Sequence, residues 1–383
     1  MRQIPMTRSC PFSPPDGATD EELGKVRLGT GDEIWYVTRH DLVRQMFGDT
    51  RFSSEVDGGA QGMPLHQAEP QPGMFIQMDP PRHTRLRRML TGRFTLQRVN
   101  RLRPRIEQIV ADQLDHVEKQ PRPVDLVEHF ALPVPSLVIC ELLGVPYAER
   151  ETFQVASARL LDQNVSREEA EEAMGGFGVF LLELIAAKRA RPGEGLLDDL
   201  LAGTDLTDEE VAGIAVLLLI AGHETTANML GLGTLLLLQR PGQLALVRDD
   251  PEVAKTAVDE MLRYLSVVDS LLMRRASQDL DLGGTTIPEG DFITASLAAA
   301  NRDPALCENP DDLDVTRPRT HHVAFGFGPH QCLGQNLARM ELEIAYPALL
   351  RRLPGLRLAV PLEEVPTRDD MLVYGVHRLE VTW

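Results

Sequence analysis

Residues 211–238 limit the fold more than any other stretch. They read VAGIAVLLLIAGHETTANMLGLGTLLLL, apolar and long enough to span a bilayer, yet His223, Glu224, Thr225, Thr226 and Asn228 sit at the middle. A carboxylate and an imidazole at a bilayer midplane are costly. The pattern therefore predicts a helix buried on all sides in a large protein core. Thr207-Asp208-Glu209-Glu210 reads as a capping box that opens it, and Pro241-Gly242 ends it after about Gln239. At 1.5 Å per residue such a helix is roughly 50 Å long, enough to cross a whole globule. A chain of 383 residues, 43% apolar and 25% charged, is long enough to wrap it in one core. The same figures exclude a disordered, collagen-like or disulfide-stapled chain.

Helical patterns also cover residues 81–118, 136–143, 146–162, 167–189 and 251–265, and a last helix follows Cys332 to about 352. Residues 162–177, Glu-rich and ending in Met174-Gly175-Gly176, read as a mobile connection between helices. Residues 279–297 change period, with Gly283-Gly284 between β-branched and apolar residues, which predicts a hairpin. Residues 57–73, rich in Gly, Pro and Gln, read as a long surface loop or lid. The sum is a mainly α, helix-rich single body, 1–383, with a minor β part.

The segment Phe325-Gly326-Phe327-Gly328-Pro329-His330-Gln331-Cys332-Leu333-Gly334 brackets one cysteine with three glycines. Glycine permits tight turns and close backbone approach to a flat ligand. Successive N–H groups can then point at one sulfur and stabilise a thiolate, helped by the positive end of the helix that follows. A thiolate so held suits an axial bond to iron. A generic Gly-Cys turn would be inert. Here six positions are fixed together, with a chance on the order of 10⁻⁶ at background residue frequencies.

With this loop the chain resembles the bacterial cytochrome P450 monooxygenases over nearly its whole length, through the pattern F-G-x-G-x-H-x-C-x-G. The resemblance implies the cytochrome P450 fold, haem b as cofactor, Cys332 as the iron ligand, and Phe325 and Gly326 in the cofactor-binding loop. Ala221-Gly222-His223-Glu224-Thr225-Thr226 matches the family's A/G-G-x-D/E-T-T/S pattern, which makes Glu224 and Thr225 its acid–alcohol pair. The residues alone say that a buried acid and hydroxyl need hydrogen bonds. Threonine can bond a carbonyl one turn back. Gly222 leaves room for a ligand, and the pair could pass protons to a bound oxygen species. A zinc-protease H-E-x-x-H is excluded, because residue 227 is Ala.

Glu260-Met261-Leu262-Arg263 places an acid and an arginine on one helix face. Alone it is a surface pair worth roughly 0.3–0.5 kcal/mol; the resemblance makes it a buried brace of the Cys-loop region. Buried haem propionates need cations, and the family's H-x-x-x-R helix, R-x-A strand and loop histidine fall on His83, Arg87, Arg274 and His330.

Residues 82–105 hold nine arginines and no acid in a chain of net charge −18. A basic stripe can steer an acidic partner. The acidic remainder repels phosphate, and no nucleic-acid fold accompanies the stripe. The expected partner is a small acidic ferredoxin. With no flavin or nucleotide motif and only about 50 residues after Cys332, electrons should come indirectly from NAD(P)H through that ferredoxin and its reductase. The four cysteines, 10, 140, 307 and 332, show no C-x-x-C spacing and suggest a reducing compartment. The N-terminus has no apolar run. These features lead to a cytoplasmic protein with no membrane and no nucleic acid as partner.

The resemblance implies a monooxygenase that uses O2 to hydroxylate or epoxidise an apolar small molecule, as in secondary-metabolite biosynthesis. The motifs leave open oxidative ring or bond formation without oxygen insertion. A haem sensor or carrier has no need of Glu224 and Thr225. Substrate contacts are expected from 57–78, 160–180, Leu218–Gly222 and 266–272, with Val267, Val268, Leu271 and Leu272 forming an apolar wall.

Overall fold

The capping box forms as the sequence predicts. Thr207 Oγ1 accepts the Glu210 N–H at 3.2 Å while Glu210 Oε2 accepts the Thr207 N–H at 3.0 Å. From there one helix runs unbroken over Asp208–Leu238. In this computed structural model the described residues are 2–4, 7–29, 31–56 and 71–383. Most of the expected loop 57–73, and part of the substrate segment 57–78, lie outside them.

The helices are α1 (His40–Gly48), α2 (Arg82–Thr91), α3 (Leu96–Glu118), α4 (Pro133–Leu143), α5 (Arg150–Leu161), α6 (Arg167–Ala190), α7 (Leu196–Gly203), α8 (Asp208–Leu238), α9 (Pro241–Asp249), α10 (Val253–Leu265), α11 (Leu297–Ala300) and α12 (Gln335–Arg352). The strands are β1 (Arg2–Ile4), β2 (Leu23–Leu28), β3 (Glu33–Val37), β4 (Phe52–Ser53), β5 (Val124–Asp125), β6 (Arg274–Ala276), β7 (Leu280–Leu282), β8 (Thr285–Ile287), β9 (Phe292–Ala295), β10 (Arg357–Leu358) and β11 (Glu380–Thr382).

Helix α8 is the axis of the body. It packs against α4, α5, α6, α10 and α12, and 78% of its most apolar stretch is buried. Its length and composition would pass for a membrane span, but its apolar surface is satisfied by neighbouring helices. Two glycines allow the close approaches. A Cβ on Gly222 would stand 2.7 Å from Ile139 Cδ1 of α4, and one on Gly233 would collide with the Tyr346 hydroxyl of α12.

The minor β part is a six-stranded sheet in the order β1-β2-β3-β9-β6-β4, with a three-stranded sheet β10-β11-β5 and the hairpin β7-β8. The hairpin turns at Gly283-Gly284, both at positive φ, as its sequence predicts. The large sheet pairs residues 258 apart in sequence: β3 pairs parallel with β9, bringing Trp35 opposite Ile293.

One local expectation fails. The supposed mobile connection ending at Gly175-Gly176 is the first half of α6, which is continuous and opened by a Ser166–Glu169 capping box. Gly in a helix interior costs about 1 kcal/mol, and buried Ala173, Phe177, Leu181 and Ile185 outweigh it. Pro241 does end α8, but it also begins α9, because the missing N–H is harmless at a first helical position.

Candidate functional site

The Cys-loop takes its shape from glycine at two places. Gly326 and Gly328 have φ of +67° and +75°. A Cβ on Gly328 would stand 2.3 Å from the Phe47 carbonyl oxygen of α1, so only glycine lets the loop lie against that helix end. The Cys332 N–H donates to the Phe325 carbonyl at 2.9 Å, which closes the loop. Cys332 keeps some accessible surface, although its surroundings are dense. Burial pushes its thiol up, opposed by the N–H groups of Gly334 and Gln335 and by the charges of Arg87 and Arg339. The N–H groups expected at the sulfur are therefore present, but alone they do not outweigh desolvation. A bound metal cation would.

Beside the loop lies a cluster of cations that makes no ion pair among the described residues, although Asp79 acts on His83 and Arg274 through space. His83 of α2 is 2% exposed, and neither ring nitrogen has a partner. Its ring lies 3.9 Å from that of His330. Arg274 of β6 is 5% exposed, and its guanidinium donates to the neighbouring Met273 carbonyl, at 2.8 Å. Arg87 donates to the Gln331 carbonyl. Burial, then Arg274, His83 and Arg87, push His330 down to about 2. Burial likewise brings Arg274 down to about 10. One carboxylate acting through space does not balance these four groups, and a bound anion would complete them. His83, Arg87, Arg274 and His330 thus lie together.

Sequence reasoning missed Ser54, whose hydroxyl meets His330 Nε2 at 3.0 Å, and Asp79, which holds the Ser54 N–H at 2.8 Å. No spacing signal marks them, since they lie some 250 residues from the loop.

In the middle of α8, between buried neighbours, Ala221 is exposed and Gly222 and Thr225 are half-exposed. Thr225 Oγ1 donates to the Ala221 carbonyl at 2.8 Å, the back-bond expected from sequence. Its oxygen is left free to accept. Glu224 is 3% exposed and pairs with Arg368 Nη2 at 3.2 Å. Asn228 Nδ2 donates to the Glu224 carbonyl at 2.8 Å. His223 donates from Nδ1 to the Leu219 carbonyl at 2.6 Å, and burial holds it neutral. Arg368, 144 residues away in sequence, was not legible as a partner. It also lines a small cleft with Arg8, Tyr36, Gln163, Asp269 and Tyr374, so polar surface reaches to within one side chain of Glu224.

Gly222 corrects an expectation: the volume its missing side chain frees is filled by Ile139, so the glycine serves the α8–α4 approach rather than making room for a ligand.

Glu260 and Arg263 form a two-pronged pair, 2.8 Å at each prong, with side chains 1% and 0% exposed. Arg263 also donates to the carbonyls of Asn301 at 2.9 Å and Pro310 at 2.8 Å, and Arg317 adds a second cation to Glu260 at 3.1 Å. This is the buried brace the resemblance implied, with Arg317 as a further member.

The arginine stripe is less open than its sequence suggests. Arg82 pairs with Glu55, Arg85 with Asp205 and Glu210, Arg93 with Asp199, Arg103 with Glu343 and Arg105 with Glu141. Arg98 stands 3.8 Å from Asp199. Exposed Arg88 and Arg101 keep no acidic partner among the described residues, and the exposed side chain of Leu96 (59%) lies in the sequence between them.

Among the expected substrate wall, Val267 is buried and Val268, Leu271 and Leu272 are half-buried. Leu272 is the side chain nearest the missing Cβ of Gly326, at 3.8 Å, so this segment borders the Cys-loop. The Tyr374 N–H donates to the Val267 carbonyl at 2.8 Å, adding residues 371–374 to the same edge.

The family profile described as Cytochrome P450 matches residues 167–380. Cytochrome P450-SU2 of Streptomyces griseolus is 45% identical over 99% of this chain and 96% of its own length. Pentalenic acid synthase of Streptomyces avermitilis is 44% identical over 99% of this chain and 97% of its own. Two solved structures superpose closely. CYP105P1 in complex with filipin I gives a TM-score of 0.94 at 42% identity over 100% of this chain and 98% of that one. The mycinamicin VIII C21 methyl hydroxylase MycCI from Micromonospora griseorubida, bound to mycinamicin VIII, gives 0.92 at 38% identity over 100% of both chains. A cysteine loop beside a cationic cradle, with an acid–alcohol pair on the central helix, in a fold shared end to end with these proteins, makes this chain a member of the cytochrome P450 monooxygenase family.

Proposed function

We propose that residues 1–383 form a single haem domain in which Cys332 ligates the iron of haem b and His83, Arg87, Arg274 and His330 hold its propionates. The observation that carries this reading is the buried cationic cradle: two histidine rings 3.9 Å apart and two arginines, with no ion pair to an acid among the described residues, beside the one Gly-framed cysteine. Two propionates supply the missing charge. Phe325 and Gly326 shape the loop beneath. The bound haem supplies oxygen activation, with thiolate electron density favouring O–O cleavage.

The chain's own residues then manage protons and water. Thr225 Oγ1, already donating to Ala221, offers its lone pairs toward the interior and fixes a hydrogen-bond donor there. Glu224 stands behind it as the proton source, anchored by Arg368. The apolar side chains of α8 exclude bulk water from the rest of that face.

The reaction is hydroxylation or epoxidation of an apolar organic molecule held against Val267, Val268, Leu271 and Leu272. Filipin I and mycinamicin VIII, the molecules in the complexes of the two superposed structures, support a role in secondary-metabolite biosynthesis. Electrons reach the site from NAD(P)H through a reductase and a ferredoxin in the cytoplasm, the ferredoxin docking around Arg88 and Arg101.

The test is reconstitution with haem and a ferrous–carbon monoxide difference spectrum. The wild type should give the thiolate-type band and Cys332→Ala should lose it; a band that survives the substitution ends the proposal. Product mass after turnover with isotopically labelled O2 then reports whether oxygen is inserted.

A further inference from the structure

A second buried cluster lies beneath the Cys-loop, and neither the proton path nor the cofactor cradle uses it. Asp259 of α10 is 3% exposed. It receives Arg339 Nε of α12 at 2.9 Å, Arg319, and His322 Nε2 at 3.4 Å. The histidine's protonation follows from its other nitrogen. Nδ1 accepts the Ala324 N–H at 3.2 Å, so Nε2 carries the hydrogen and the ring is neutral. Two guanidinium groups against one carboxylate leave one net positive charge.

The two cations are not equivalent. The Arg319 side chain is 62% exposed and its charge is screened by water. The Arg339 side chain is only 17% exposed and is fixed on three sides. Asp259 holds its Nε and Gln335 Oε1 accepts from Nη1 at 3.0 Å. Its guanidinium carbon stands 4.5 Å from the centre of the Phe325 ring. Phe325 is the residue whose carbonyl takes the Cys332 N–H, and Gln335 supplies one of the backbone N–H groups at the sulfur. The cation is thus packed on both ends of the segment that carries the sulfur.

Resting on the haem–thiolate reading above, we propose that Arg339, clamped by Asp259, is a positioning residue that sets the reduction potential of the metal bound at Cys332. Reduction adds one electron to the site. A fixed, poorly screened positive charge nearby favours the reduced form more than the oxidised one. Groups around a ligating sulfur tune a metal's potential in this way. Asp259 acts twice: it aims the guanidinium, and its own negative charge opposes it. The cluster therefore tunes in two directions, which a brace joining α10 to α12 would not do.

The experiment is a spectroelectrochemical titration of the substrate-free, haem-loaded protein with its variants. Arg339→Gln should lower the ferrous-to-ferric ratio about tenfold at a fixed poise, a shift of about 59 mV to more negative potential. Arg339→Lys, which keeps the charge, should change it less than about threefold. Asp259→Asn should move it the opposite way, since Gln335 and Phe325 still hold the arginine. If the cluster only braces the helices, all three variants melt earlier while the potential stays put; that result overturns the proposal. Unshifted potential in Arg339→Gln with the thiolate-type carbon monoxide band intact does so as well. Absence of that band from the wild type would instead remove the haem–thiolate reading.

Discussion

Thr225 has one hydroxyl proton, and the Ala221 carbonyl holds it. The oxygen can therefore accept from the interior without competing for its own proton, a role no apolar side chain can fill. Thr225→Ala should keep haem uptake and the substrate-induced spectral shift, yet divert reducing equivalents to peroxide; full coupling in that variant would remove Thr225 from the proton path. Glu224 poses a different problem, because its carboxylate is buried and only Arg368 neutralises it. Removing one partner of a buried pair strands the other at a cost of about 3–5 kcal/mol. Arg368→Met should lower the denaturation midpoint accordingly, and the double variant with Glu224→Gln should recover most of the loss, since no charge is then stranded. Equal destabilisation in the single and double variants would mean that Arg368 acts through packing alone. The pair also places an arginine between Glu224 and the cleft at Tyr36 and Gln163, so the same side chain that stabilises the acid stands between it and outside water.

Helices α10 and α12 fix the Cys-loop from two sides, and α10 does so through Glu260 and Arg263. Their pair is fully enclosed, and Arg263 also reaches the carbonyls of Asn301 and Pro310. Glu260→Gln keeps the shape but removes the charge facing both Arg263 and Arg317. Loss of about 3–5 kcal/mol in a denaturant titration is expected, together with weaker haem retention, because the segment carrying the loop loses its anchor. A cost near 0.5 kcal/mol would return the pair to the status of a surface ion pair. This element also shows where sequence reading stops. Spacing three residues apart reveals that Glu260 and Arg263 share a face, but not that the face is buried, nor that Arg317 joins it. Local signals were legible: the capping box at Thr207, the turn at Gly283-Gly284, the helix after Cys332. The strand pairs β3–β9 and β4–β6 were not, because short strands become strands only when a distant partner arrives. Gly175-Gly176 misled because local propensity favours a break where long-range burial of Phe177 and Leu181 decides otherwise. At the site, Cys332, His83, Arg87, Arg274 and His330 were legible as a set of motifs. Ser54, Asp79, Arg368 and Asp259 were not, since their meaning lies in contacts across the fold.

The whole molecule carries net charge −18, yet it concentrates cations at two places. On the surface, internal pairing leaves Arg88 and Arg101 as the free charges of the stripe, flanking exposed Leu96. Arg88→Glu and Arg101→Glu should slow electron delivery from an acidic partner several-fold at low salt, with the difference shrinking as ionic strength rises; an unchanged rate would place the docking face elsewhere. In the interior, the cradle gathers His83, His330, Arg87 and Arg274 with no ion pair to an acid among the described residues. That arrangement makes the protein's stability depend on its cofactor in a pH-dependent way. Burial, followed by the neighbouring arginines, pushes His330 down to about 2 and His83 below its ordinary value. The unfolded chain protonates these rings near pH 6.5. A group whose folded value is depressed contributes stability above its unfolded value and loses it as pH falls toward the folded one. Without haem, stability should therefore fall from about pH 6.5 downward, by up to about 1.4 kcal/mol per pH unit for each of the two histidines. Two bound propionates would reverse the local field, let the rings protonate in the folded state and flatten that slope. Melting curves of the haem-free and haem-loaded protein between about pH 7 and pH 5 should then diverge as pH drops, and His83→Phe should reduce the divergence. Parallel curves would show that the anions of the cofactor do not sit among these four side chains.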